Sequence, residues 1–159
     1  MSLDQLWQLS YNSKTVDLLR NSKYAIPLIQ SVHLLGITML LGSLVILNLR
    51  LLGLGLREFS MKTLVNQVWR WGVWGMGIAI ASGLLVFLPD PTRYAANTAF
   101  RVKLVLLCTA ILYQFFVFRR VVRSEAAEVA STGNAIAACF ALTLWFMVGW
   151  AGRAIGFLG

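Results

Sequence analysis

Four apolar stretches, residues 24–49, 69–88, 100–118 and 134–152, constrain this chain more than any other feature. A helix rises about 1.5 Å per residue and the hydrocarbon layer takes about 20 mostly apolar residues to cross, so each stretch reads as a membrane span. Lipid offers no partner for backbone N–H and C=O groups. Only helices or closed barrels can therefore cross it, and unbroken apolar runs specify helices. The expected fold is all-α, a polytopic four-transmembrane-helix bundle forming a single domain over residues 1–159. Composition agrees: 58% of residues are hydrophobic and 13% charged, with a mean hydropathy of +0.73, outside the range of soluble domains.

Between Leu3 and Arg20, apolar residues recur at helical spacing among polar ones (Leu3, Leu6, Trp7, then Val16 and Leu19), which predicts an amphipathic interfacial helix over about residues 3–20. Asp4, Lys14, Asp17, Arg20 and Lys23 leave this segment without the apolar core of a cleaved signal peptide. The first span, from Tyr24, carries Pro27 in its opening turn, where a missing N–H does little harm. The second opens on Trp69, Trp71 and Trp74, suited to an interfacial belt, and stops at "PDP", residues 89–91. Gly36, Gly42, Gly72, Gly75, Gly77, Gly152 and Gly156 supply the small surfaces on which membrane helices pack, within the chain or between copies. Cys108 and Cys139 fall at different depths, which excludes a disulfide between them and predicts packing roles.

The formal charge of +8 comes from 14 Lys and Arg against 6 Asp and Glu. These cations sit in short connections where they meet headgroups, so the partner implied is the lipid bilayer and not nucleic acid. Both termini fall on one side. Discounting Lys14 and the partly intramembrane Lys103 leaves five cations there against seven in the first and third loops, which favours extracytoplasmic termini.

All six carboxylates lie in ends or connections, so an acid-based proton relay through the bilayer is not expected. Phosphate loops, paired CxxC ligands and zinc spacings are absent too. What remains is His33, the single histidine, set among leucines about 13 Å below the terminal face. Antiparallel threading brings Ser82, Lys103 and Arg153 toward the same depth, puts Gln30 one turn above His33, and sets Arg93 and Arg101 overhead. A neutral imidazole is a metal ligand, a macrocycle prefers an apolar slot, and propionates favour cations near the interface. The set therefore fits haem b, with iron at His33 and propionates toward Lys103, Arg101 or Arg153. A bland reading stands beside it: His33 stays neutral, bonded to Ser31, Gln30 or a neighbouring helix, while Lys103 and Arg153 snorkel outward. Copper handling through Met39, Met76, Met147, Cys108 and Cys139 lacks any recognisable ligand spacing.

"YAIPLIQSVHLLG" at 24–36, "LRLLGL" at 49–54, "SGLLVF" at 82–87, "RYAANTAFRVKLVLL" at 93–107 and "WAGRAIGF" at 150–157 resemble an uncharacterised bacterial family of short four-helix membrane proteins. In layout the chain is also similar to copper resistance protein D and to the short membrane-bound protoporphyrinogen oxidases. That resemblance implies haem b and marks His33 and Lys103 as the pair to test. Relatives in these groups often carry a second histidine near the end of the third span, where this chain has Phe118. A bis-histidine site within one subunit is thus excluded, and a sixth ligand would have to be Met39, Met76 or a group from another subunit. The expectation is a haem-binding protein of the bacterial inner membrane, homo-oligomeric, with a redox role. The alternatives are a transporter for a metal or small solute, using Gln30, Asn48 and Gln114, and a membrane scaffold without ligand.

Overall fold

The computed structural model describes residues 21–129 and 131–158, leaving the expected interfacial helix at residues 3–20 outside the described part. Helix α1 spans Ala25–Leu51, α2 Met61–Phe87, α3 Pro91–Ala96 and α4 Thr98–Leu112. A π-helical stretch, Tyr113–Phe118, carries α4 directly into α5, Arg119–Val122; a 3₁₀ turn, Glu125–Glu128, leads to α6, Thr132–Leu158. Four helices, Ala25–Leu51, Met61–Phe87, Thr98–Val122 and Thr132–Gly156, are long and apolar enough to cross a membrane. We call the end where α1 begins and α6 finishes proximal, and the opposite end distal.

Local chemistry explains each boundary. Helix α1 ends in a Schellman turn: Gly53, at φ +69°, donates to the Arg50 carbonyl and Leu54 donates to that of Leu49. Helix α2 starts eight residues before the expected Trp69, because Ser60 caps it by accepting from the Thr63 amide at 3.2 Å. Its first two turns carry Lys62, Asn66 and Gln67, all exposed, so hydropathy alone hides them. The three tryptophans consequently sit within α2 and not at its start. "PDP" ends α2 as expected and also begins α3, with Asp90 accepting from the Arg93 amide and Pro91 at the first helical position. Asn97 caps α4, accepting from Ala99 and Phe100.

The third span also runs beyond the expected Phe118, to Val122. Ala110, Gln114, Phe118 and Val122 are all buried at a spacing of four. On a regular α-helix, at about 100° per residue, that spacing drifts by about 40° per step. The wider π turn takes up the drift and holds all four side chains on one face.

Helix α1 packs most extensively on α2, α4 on α6, and the two hairpins join through α1 and α6. Gly36 and Gly75 make the first crossing possible: a Cβ on Gly75 would lie 2.6 Å from both the Gly36 carbonyl oxygen and the Leu40 amide. Gly42, Gly77 and Gly156, by contrast, face open space. Large rings bridge α2 and α4, with Phe87 stacked on Phe100 proximally and Trp69 edge-on to Phe115 distally. Cys108 and Cys139 are free and exposed on the bundle surface, and so do not pack in the core as expected.

The core is lopsided. Leu40, Leu44, Leu47 and Leu51 form a seam at alternating spacings of four and three, meeting Leu64, Val65, Phe118 and the small face of α6 in the distal half. In the proximal halves of α1, α2, α4 and α6 the buried residues among those described are Gly36, Gly75, Met76, Ser82, Ala99, Val148 and Ala151, with Met76 and Val148 close to the mid-points of their helices.

Candidate functional site

The proximal half holds the histidine. The His33 ring is half-buried and turns toward α2, where its Nδ1 lies 2.9 Å from Ser82 Oγ. The Ser82 hydroxyl has one proton, and it is directed at the Ile78 carbonyl, 2.5 Å away. A carbonyl can only accept, so the hydroxyl donates to Ile78 and accepts from His33 Nδ1–H. In the neutral form of such a ring the lone pair is on Nε2. Gly83 leaves room for it, since a Cβ there would come within 3.2 Å of His33 Cε1. Of the partners the bland reading named, the one found is on the neighbouring helix; Ser31 is instead bonded to the Pro27 carbonyl.

Lys103 approaches from α4. Its stem runs along Gly152 of α6, with Cε 3.5 Å from where a Cβ would stand. Its ammonium is close enough to act electrostatically on the His33 ring. Lys103 has neither an ion-pair nor a hydrogen-bond partner among the described residues. A half-buried cation without an acid is costly in a span and calls for an anion from elsewhere.

The other expected members do not join this group. Gln30 and Arg153 are exposed, and Arg101 is tied by Nε to the Ala95 carbonyl at 2.9 Å, beside α3. Met39 packs against Gly75, while Met76 lines a cavity on the distal side. Phe118 is fully buried in the distal core. No cluster of three or more His, Cys, Asp or Glu suited to a metal ion occurs among the described residues. The polar groups of the transport alternative are likewise separated: Gln30 is proximal and exposed, Asn48 and Gln114 are distal and buried, and the Gly36–Gly75 crossing lies between.

At the distal end the buried charge is paired. Glu128 accepts from the Met61 amide at 3.0 Å and the Lys62 amide at 3.4 Å, so it caps α2 from another loop. Arg50, 9% exposed, reaches Glu128 at 3.4 Å and donates through Nε to the Phe59 carbonyl at 2.9 Å. Asn134 donates to the Ala126 and Val129 carbonyls, and Tyr113 to that of Ala137. In sequence Glu128 is one of the acids in the connections, and because the α2 amides it caps lie 66 or more residues away, no local signal marks it as a cap.

Comparison with known proteins adds one finding. Residues 9–158 match the model of a family of unknown function, DUF6644. The chain belongs to that family. No curated protein and no solved structure matches this DUF6644 chain, so the likeness in layout to copper resistance protein D and to the oxidases is not shown.

Proposed function

We propose that this DUF6644 chain binds an anionic, planar tetrapyrrole, haem b, in its proximal half, where His33 Nε2 would hold the iron and Lys103 would neutralise a propionate. The observation that carries this reading is the contact of His33 Nδ1 with Ser82, whose hydroxyl is directed at the Ile78 carbonyl, an arrangement that in the neutral ring puts the lone pair on Nε2. Metal-ligating histidines characteristically donate their other N–H in this way. The unpaired Lys103 supplies the charge a carboxylate requires, and in the proximal half the only buried side chains larger than serine among the described residues are Met76 and Val148, both near mid-helix, which leaves a thin core toward the proximal end. A bound iron porphyrin would supply one-electron chemistry. The chain's residues would orient the imidazole, neutralise a propionate and hold the proton on Nδ1, directed at Ser82. The setting is the bacterial inner membrane with extracytoplasmic termini, and a copy of the chain is the partner that could complete the coordination.

Expression with an intact haem supply, purification in mild detergent and an absorption spectrum test the proposal. A Soret band that is lost in His33→Ala and weakened in Lys103→Ala is the expected result. A wild-type protein without the band, or an unchanged band in His33→Ala, overturns it.

A further inference from the structure

The distal half contains a second polar site, independent of His33. Gln114 sits in the π-helical stretch, is 5% exposed, and its Oε1 is buried without a hydrogen-bond partner. A buried amide oxygen left unpaired costs about 1–3 kcal/mol, and each such group in a folded protein calls for a cause. The π turn makes the placement deliberate in structural terms, because it is what keeps Gln114 on the face shared with Ala110 and Phe118. Beside it lies a cavity of about 10 Å³, bordered by Gln114, Ser43, Gly72, Trp69 and Phe115. The Ser43 hydroxyl donates to the Leu40 carbonyl at 2.8 Å, which leaves its lone pairs free. Gly72 opens the space around that hydroxyl, since a Cβ there would come 2.5 Å from Ser43 Oγ.

We infer that this cavity holds one small neutral hydrogen-bond donor, a water molecule, donating to Gln114 Oε1 and to Ser43 Oγ. The cavity matches the space one water requires, and two acceptors on different helices meet the minimum of two polar partners. An ion is disfavoured by the chemistry of the walls: one amide and one hydroxyl stand among Leu40, Leu44, Leu47 and Met76, with no charge to balance a cation and no buried cluster of donors for an anion. The bound water joins α1 to the π turn and satisfies an acceptor that nothing else in the described chain reaches. It also gives the wide turn a reason to persist, because regular α-helical winding would rotate Gln114 away from the cavity.

The test is water-to-protein polarisation transfer by solid-state NMR on the full chain in lipid bilayers, with labelled glutamine, serine, glycine and leucine. Transfer to the Gln114 side-chain amide and to Gly72 should be several-fold above that to the neighbouring Leu44 and Leu47 methyls, and in Gln114→Leu the Gly72 signal should fall to their level. Transfer to Gln114 no greater than to those methyls overturns the inference. So does a Gly72 signal that survives in Gln114→Leu, since the water would then be held by other groups.

Discussion

The two halves of the bundle handle polar groups in opposite ways. Distally, Arg50 has Glu128 and the Phe59 carbonyl, Glu128 caps α2, and Asn134 and Tyr113 find loop and helix carbonyls, around a core that includes Leu47, Leu51 and Phe118. Proximally, Lys103 has no partner among the described residues, a neutral His33 donating from Nδ1 has its lone pair on Nε2, and the only buried side chains larger than serine in the span halves are Met76 and Val148, both near mid-helix. Both halves belong to the same four helices, so helix propensity cannot explain the contrast. Polar residues that hold a bundle together find partners within it. Distally the unpaired atoms are neutral, Gln114 Oε1 and Asn48 Oδ1, whereas proximally a cation goes without an acid over a thin core, which marks the place where something from outside completes the structure.

The largest effects should separate the halves directly. Phe118→Ala empties a fully buried position and should lower unfolding stability by about 3–5 kcal/mol. Phe100→Ala removes a half-buried ring stacked on Phe87 and should cost about 1–1.5 kcal/mol. Chemical denaturation in mixed micelles measures both, and equal losses would erase the contrast. Next comes Glu128→Ala, which strips the α2 amides and the buried Arg50 of their acceptor. With the Glu128 side chain 38% exposed, about 2 kcal/mol is expected, below the range for a fully buried pair; Glu128→Gln should keep part of the cap and lose less.

Proximal substitutions should be gentler on stability and harder on ligand binding. Ser82→Ala removes the acceptor for Nδ1–H and should cost about 1 kcal/mol of stability, with haem affinity lowered about tenfold as the ring loses its orientation. A Soret titration that leaves affinity unchanged in Ser82→Ala would show that the ring is held by other means. Lys103→Leu should change ligand-free stability by less than about 0.5 kcal/mol, because the ammonium has no partner to lose, yet weaken haem binding through the missing propionate contact. A loss of stability comparable to that of Glu128→Ala would place Lys103 with the structural group.

What could be read from the sequence follows the physics of each feature. The four spans stand out because lipid demands long apolar runs, and the common depth of His33, Ser82 and Lys103 follows from counting residues along antiparallel rods. The first turns of α2 escaped because Lys62, Asn66 and Gln67 lower the local hydropathy while Ser60, the true signal, is one residue among many serines. Helix α3 was hidden in a motif read only as a stop, although Asp90 followed by Pro91 also starts a helix. The π stretch depends on which face meets the core, and its trace was the repeated spacing of four from Ala110 to Val122. Glu128 needed tertiary structure, since the amides it caps lie 66 or more residues away.

The most direct test of the account is the unfolding midpoint of the purified chain with and without added haem, in wild type and in His33→Ala. Ligand that binds only the folded state raises the midpoint, so the account predicts a clear rise in wild type and none in His33→Ala. Equal midpoints with and without haem in wild type, or the same rise in both proteins, would contradict it.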